Sequence, residues 1–439
     1  MEFVLAVLLG IAGGVLSGII PGVGATIVVV LLMPVLLAFD PVYILVSFVS
    51  LYSISQYIGS VPAIILGVPG EISSMAAVTE SKEIIKQHRQ SEAIAHAALG
   101  SLFGGIICLA FVVIGLDILN YLAIVFKTPI KLTVLVLLIA VTAIVADNRG
   151  LINVYLMILG AFFGVIGIHG TYNREFLTFD NPNLMTGLPL FPVLLCLFVL
   201  PTFYKIVSDN KNFQAGEIVN ITINFSQVKS FFKDIGSAVR GTVLGFFGGF
   251  CPGITCAFSS QLAYVAEKIK HKKSEHCVKR VTAAETANNA GALSALLPMI
   301  VLGIPISSSE AVVLTILQMK NFTLNFSNFQ DMLLTTTQAL VITNIVGVLL
   351  AWPFGRQLLK LLTNIHPKRL YSVLFTVLIM FCVYVGYINY QAEFYIIVIL
   401  ALLPVGWLLR KLETLPLILS FMLVNMTIDS VVTVVELYS

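Results

Sequence analysis

The residues best suited to chemistry in this chain are small, mostly uncharged and gathered around two pairs of Pro-Gly or Gly-x-Pro breaks. The first half offers Thr26, Gln56, Ser60, Glu71, Ser73 and Ser74. The second offers Thr255, Ser259, Ser260, Glu285, Asn288, Asn289, Ser307, Ser308, Ser309 and Glu310. Hydroxyls, amides and free backbone N–H groups at helix N-termini suit a carboxylate or another small anion. Backbone carbonyls and side-chain oxygens freed at helix breaks suit Na⁺. Pro305-Ile306-Ser307-Ser308-Ser309 places three hydroxyls at a helix start, beside its positive dipole end. Glu71, Glu285 and Glu310 are acids in apolar surroundings, and such acids inside a membrane are functional candidates; the plainer alternative is that they cap helices. Glu80 and Glu83, in a basic stretch, read as solvated. No HExxH, GxSxG or P-loop motif is present, so neither an enzyme nor an ATPase is expected. The six cysteines are scattered and read as packing residues.

The elements that carry these residues are membrane helices. Of 439 residues, 58% are hydrophobic and only 11% charged, against about 25% charged in soluble domains. Mean hydropathy is +0.99. The apolar runs are continuous rather than alternating, which excludes an outer-membrane barrel and leaves an all-α polytopic membrane protein. A net charge of +3 is no nucleic-acid footprint. Met1–Leu9 has no basic start, so the first span is expected to remain in the mature protein.

The chain repeats itself. GIAGGVLSGIIPGVG (10–24) and GTVLGFFGGFCPGIT (241–255) each carry glycines four residues apart and end in a Pro-Gly, Pro21-Gly22 and Pro252-Gly253. LGVPGEISS (66–74) matches LGIPISSSE (302–310) in the same order. The small stripes let helix backbones approach closely, which explains Gly10, Gly14, Gly241 and Gly245 as packing positions. The prolines break helices, and broken backbone at membrane depth is tolerated only inside protein or beside a watery cavity.

Four spans are expected after the second break of each half, near 93–115, 130–146, 151–168 and 188–205, then 331–352, 371–388, 394–409 and 415–435. With the basic loop 268–280 placed inside, all but Lys127, Lys131, Arg174 and Lys320 of the 25 Lys and Arg residues fall inside. Loops 39–41 and 80–91 then lie opposite their repeat partners, and both termini are external. The expected organisation is two inverted-topology repeats, 1–205 and 238–439, joined by a cytoplasmic linker, 206–237. A re-entrant hairpin plus one span, or one broken span, would satisfy the crossing between loops 40 and 85. Inverted repeats with broken helices are the pattern of secondary transporters, and the site is expected at 21–26, 56–74, 252–260 and 285–310.

Several motifs together resemble the TctA family, the large membrane subunit of tripartite tricarboxylate transporters, over nearly the full length. They are GIIPGVGATIVVVLLMPV (18–35), SQYIGSVPAIILGVPGE (55–71), GFFGGFCPGIT…AYVAEK (245–268) and AETANNAGALSALLPMIVLGIP (284–305). The resemblance extends to NREFLTFDNPNLMTGLPLFPVLLCLFVL (173–200). It implies a Na⁺-coupled or H⁺-coupled importer of a di- or tricarboxylate such as citrate, working by alternating access, with an elevator-type motion as one form. It implies an inner (cytoplasmic) membrane location, a small four-helix membrane partner and an extracytoplasmic solute-binding protein; a homodimer is consistent with the analogy. A channel or a non-transporting receptor or scaffold subunit is the alternative. The matching positions include Pro69 and Gly303. The substrate-binding set expected is Gly22, Gly24, Thr26, Ser60, Gly70, Ser73, Gly253, Thr255, Asn288, Asn289, Ser307 and Ser308. Na⁺ is expected near Pro21, Glu71, Pro252, Glu285 and Pro305. The second break departs from the family pattern, with Ile306 where a glycine is usual and Glu310 where a small residue is expected.

Overall fold

A computed structural model describes the chain apart from residues 21–22, 116–131, scattered positions within 134–149, 170–173, 202, 205–223, 251–254, 323, 325–328, 364–366, 389 and 439. Its helices are α1 (Glu2–Ile19), α2 (Gly24–Leu36), α3 (Pro41–Leu66), α4 (Met75–Lys86), α5 (Gln90–Ile114), α6 (Gly150–Val165), α7 (Phe225–Lys233) and α8 (Ile235–Gly249). They continue as α9 (Thr255–Lys270), α10 (Cys277–Leu302), α11 (Ser308–Met319), α12 (Phe329–Ala351), α13 (Gly355–Thr363), α14 (Pro367–Ile388), α15 (Ala392–Leu409) and α16 (Leu415–Tyr438). A short antiparallel pair, β1 (Gly167–His169) with β2 (Arg174–Phe176), interrupts the all-α expectation. It also ends the expected 151–168 span early, since the positive φ at Gly167 opens a hairpin that no helix can continue through. Among the described residues, five helices are long and apolar enough to cross a membrane, or six if the bent pair within α16 counts as one. The expected span 130–146 lies largely outside the described residues.

The chain divides into two compact units, and both sequence halves contribute to each. Unit 2 comprises 124–211 and 366–439. Within it α6 packs on α16 through Gly160 and Gly164, whose missing side chains admit the Leu417 and Phe421 carbonyls. Gly406 of α15 likewise admits the Cys196 carbonyl of the segment 190–199, a helix that ends in a π-helical turn.

Unit 1 comprises 1–123 and 212–365 and holds every candidate site residue. Its core is built from two helix pairs assembled alike. Gly10, Gly14 and Gly18 of α1 lie against the carbonyls of Ser47, Leu51 and Ser55 of α3. Gly241, Gly245 and Gly249 of α8 lie against the carbonyls of Ala283, Ala287 and Gly291 of α10. In both pairs the contacts climb in step, so the helices run parallel with backbones touching. A Cβ at any of these glycines would enter the neighbouring backbone, which is the packing that the four-residue spacing implies. The apolar α2 joins α1 to α3, and α9 lies between α8 and α10.

The inner helices α3 and α10 are each 26 residues long, carry one internal proline (Pro62 and Pro298) and end in a left-handed glycine. Gly67 has φ +67° and Gly303 φ +66°. The Val68 N–H reaches the Pro62 carbonyl at 3.4 Å, and the Ile304 N–H the Pro298 carbonyl at 3.2 Å. Both bonds run from the residue after the left-handed glycine to the internal proline six positions back, so the two helices end alike. The long helices of the two halves are exchanged: α5 packs on α10, and α12 packs on α3. Gly100 and Gly104 of α5 admit Thr286, while Gly347 of α12 admits the Tyr57 ring. The Tyr57 hydroxyl donates to Asn344 Oδ1 at 2.7 Å.

Candidate functional site

After Gly67 the chain turns back along α3. The Gly70 N–H bonds the Gly59 carbonyl at 3.3 Å, and a Cβ at Gly70 would fall on the Gly18 carbonyl oxygen. Only glycine fits there. The turn carries the half-buried Glu71 into the space where α1 ends and α2 begins. Ser17 donates to Glu71 Oε1 at 2.5 Å, and the other carboxyl oxygen lies 3.8 Å from where a Gly24 Cβ would stand. A carboxylate at a helix start gains about 0.3–1 kcal/mol from the dipole. Ser73 then donates to Gln56 Oε1 at 2.8 Å, and Gln56 Nε2 to Ser55 at 3.2 Å. From this level α4 runs forward again, with Ser81 facing Gly67.

The second break is wired differently. Ser307 caps α11 by accepting from the Glu310 N–H at 3.3 Å. Glu310 Oε2 returns to the N–H groups of Ile306 and Ser307 at 2.7 and 3.1 Å. This is a capping box, and it explains the departures at 306 and 310 together: the N–H that Gly70 directs to backbone is held here by a side chain. Glu310 is therefore a helix cap, with Oε1 buried and without a hydrogen-bond partner among the described residues.

The two halves meet at these helix starts. Thr26 Oγ1, in the first turn of α2, lies 2.9 Å from Ser308 Oγ and 2.8 Å from Ser309 Oγ, in the first turn of α11. Reciprocally, α9 begins against the turn 72–74, and its Cys256 Sγ lies 3.3 Å from the Tyr52 hydroxyl of α3. Two positive helix ends facing one another across hydroxyls form an environment suited to an anion.

Inside this arrangement α10 presents its polar turn. Glu285 and Asn288 are fully buried, and Asn289 nearly so. Asn288 Nδ2 donates to Glu285 Oε2 at 3.2 Å. Glu285 Oε1, Asn288 Oδ1 and Asn289 Nδ2 have no hydrogen-bond partner among the described residues, and each such group costs about 1–3 kcal/mol if left so. Asn289 lines a small cavity with Tyr52, Ser53, Leu293, Leu340 and Asn344.

The structure thus brings Gly24, Thr26, Gly70, Ser73, Ser307 and Ser308 to the paired breaks, while Asn288 and Asn289 lie mid-helix on α10, Asn289 lining the cavity. Ser60 stands apart, because its hydroxyl donates to the Tyr57 carbonyl of its own helix at 2.8 Å. Thr255 opens α9, and Pro305 is in the turn before α11. Pro21, Gly22, Pro252 and Gly253 lie outside the described residues. Ser17, Tyr52 and Ser53 were not anticipated. A usable signal existed for Ser53: the offset that pairs Pro69 with Pro305 also pairs Ser53 with Asn289, and both line the cavity. One expectation is corrected. Glu80 is only 5% exposed and accepts from Arg280 Nε and Nη2 at 2.7 and 2.6 Å and from Tyr264 at 2.7 Å. It is solvated neither by water nor by loop lysines; a partner two hundred residues away neutralises it. Glu83 is partly exposed and accepts from Gln87 at 2.7 Å.

Comparison with known proteins identifies the family. The chain is 28% identical over 424 residues to an uncharacterized 52.8 kDa protein in the TAR-I ttuC′ 3′ region of Agrobacterium vitis, covering 94% of this chain and 83% of that one. It is 24% identical over 411 residues to an uncharacterized protein of Methanocaldococcus jannaschii, covering 93% and 94%. No solved structure matches. Residues 4–419 match the tripartite tricarboxylate transporter TctA family, and this multi-pass membrane protein belongs to that family.

Proposed function

We propose that the chain is the transporting subunit of a secondary carboxylate importer, and that it binds a di- or tricarboxylate between the first turns of α2 and α11. The observation that carries this reading is the meeting of Thr26 with Ser308 and Ser309, two helix starts from opposite halves. Charge gives the coupling. Residues 1–81, 241–267 and 281–319 contain no Lys or Arg, yet they include Glu71, Glu285 and Glu310. An anion entering there meets no cationic side chain, so co-bound Na⁺ or H⁺ must offset its charge. The two halves act as inverted repeats; the like-built pairs α1–α3 and α8–α10 and the exchanged α5 and α12 support this. Alternating access follows if one pair of breaks opens as the other closes. A small membrane subunit, an extracytoplasmic binding protein and an inner-membrane location complete the proposal by family.

Uptake of labelled carboxylates into proteoliposomes that hold this chain with its partner subunits tests it. Thr26→Val and Ser308→Ala are expected to abolish uptake while expression and monodispersity persist. Full uptake in both variants would remove the site from α2 and α11. Flux that neither saturates nor responds to an ion gradient would instead indicate a channel.

A further inference from the structure

We propose that Glu285 and Asn288 form a binding site for the coupling cation, distinct from the hydroxyl cluster of Thr26, Ser308 and Ser309. The inference rests on the transport reading above.

The two orphaned groups are both acceptors. Glu285 Oε1 and Asn288 Oδ1 lie one helical turn apart on α10, on residues 0% exposed, without a donor among the described residues. The only bond between the two side chains uses the opposite atoms, Asn288 Nδ2 to Glu285 Oε2. That bond fixes the amide, so its oxygen is directed away from the donor it would otherwise share. A buried carboxyl oxygen and a buried amide oxygen that both lack donors call for a cation, either Na⁺ ligated by oxygens or a proton bridging them. Structural alternatives are already committed elsewhere. Most titratable and charged side chains that neighbouring elements bring against α10 have other partners: His96 Nδ1 of α5 with Thr282, Glu80 of α4 with Arg280, Tyr264 of α9 with Glu80, Glu267 of α9 with Arg240, Tyr57 of α3 with Asn344, and Tyr52 of α3 with Cys256 of α9; the second ring nitrogen of His96 is buried without a partner among the described residues. No basic residue occurs between Arg280 and Lys320 to serve as a local counter-ion. Asn289, the next residue, offers the opposite chemistry: its unpaired atom is a donor, and it faces the cavity beside Ser53. Neighbouring positions on one helix therefore separate a cation-seeking pair from an anion-seeking amide. That arrangement couples the two ligands by proximity.

The experiment uses the purified full chain in detergent, with the unfolding midpoint followed in NaCl against N-methylglucamine chloride, at pH 5.5 and pH 8, without any carboxylate. Ligands that bind only the native state raise the midpoint with concentration. The expected result is a rise in the wild type with Na⁺, or with acid if the proton is the ligand. Either rise should disappear in Glu285→Gln and diminish in Asn288→Ala. Glu285→Gln should itself be at least as stable as the wild type in Na⁺-free buffer at pH 8, because it removes an uncompensated charge. In proteoliposomes the wild type should show carboxylate counterflow, and Glu285→Gln should lose gradient-driven accumulation. Cation stabilisation unchanged in both variants would overturn the site. Because no carboxylate is present, the thermal arm reads the cation site even if the substrate class is wrong; loss of counterflow in every variant and in the wild type would instead remove the transport reading.

Discussion

Arg280→Met tests how far the two halves are held together by one buried ion pair. Arg280 is 4% exposed and Glu80 5%. The guanidinium gives two bonds to the carboxylate at 2.6 and 2.7 Å and two more, from Nη1, to the carbonyls of His271 and Lys273 at 2.8 Å each. Methionine keeps much of the volume and removes all four. The Glu80 carboxylate would retain only the Tyr264 hydroxyl. Removing one partner of a buried pair costs about 3–5 kcal/mol, chiefly from the uncompensated charge that remains. Glu80→Gln with Arg280→Met removes that charge, so the double variant should recover a large part of the loss, with a coupling of about 1–3 kcal/mol across the cycle. Equilibrium unfolding in mixed micelles, followed by a probe on α4 and another on α10, gives the four stabilities. An Arg280→Met loss below about 1 kcal/mol, the range of exposed pairs, would refute the argument. It would mean that water reaches this pair in the membrane-embedded protein.

Two further outcomes follow from the site geometry. Ser60→Ala should leave uptake within about twofold of wild type, since its hydroxyl bonds only within its own helix and such a bond nets about 0.5–1.5 kcal/mol of stability; a tenfold loss of uptake would return Ser60 to the site. Gly70→Ala should abolish properly folded protein, measured as monodisperse yield, because its Cβ would meet the Gly18 carbonyl and the α-carbon of Gly59; the control Gly236→Ala, whose Cβ would meet only an Arg240 side chain at 3.4 Å, should be tolerated.

The breaks and the glycine rows were legible because they depend on local rules. Glycine at four-residue spacing has few uses besides backbone contact, and proline cannot continue a helix interior. The capping role of Glu310 was also written locally, as Ser307-x-x-Glu310, the S-x-x-E signature, although its apolar setting also made it a functional candidate. What escaped was non-local. Glu80 lies among lysines in sequence, yet its partner comes from the first turn of α10. Ser60 shares composition with Ser53, but on α3 one hydroxyl turns onto its own backbone and the other faces a cavity closed by the other half. Which side of α3 meets the second half depends on the exchange of α5 and α12, and no pattern within either half encodes that exchange.

That exchange sets an order of assembly. α3 is buried from Ile44 to Ile65, and it carries Ser47, Ser50, Ser53, Ser55, Gln56 and Ser60. Its hydropathy, 1.4, is the lowest of the five long helices. When it leaves the ribosome, α12, which will cover it, has not been made. The nascent first half must therefore shelter a polar helix with its own α1, α2, α4 and α5, and α5 in turn waits for α10. Biogenesis of the paired breaks is complete only when the second half arrives, so premature termination in this protein yields no half-transporter but an unsheltered helix exposed to lipid and to quality control.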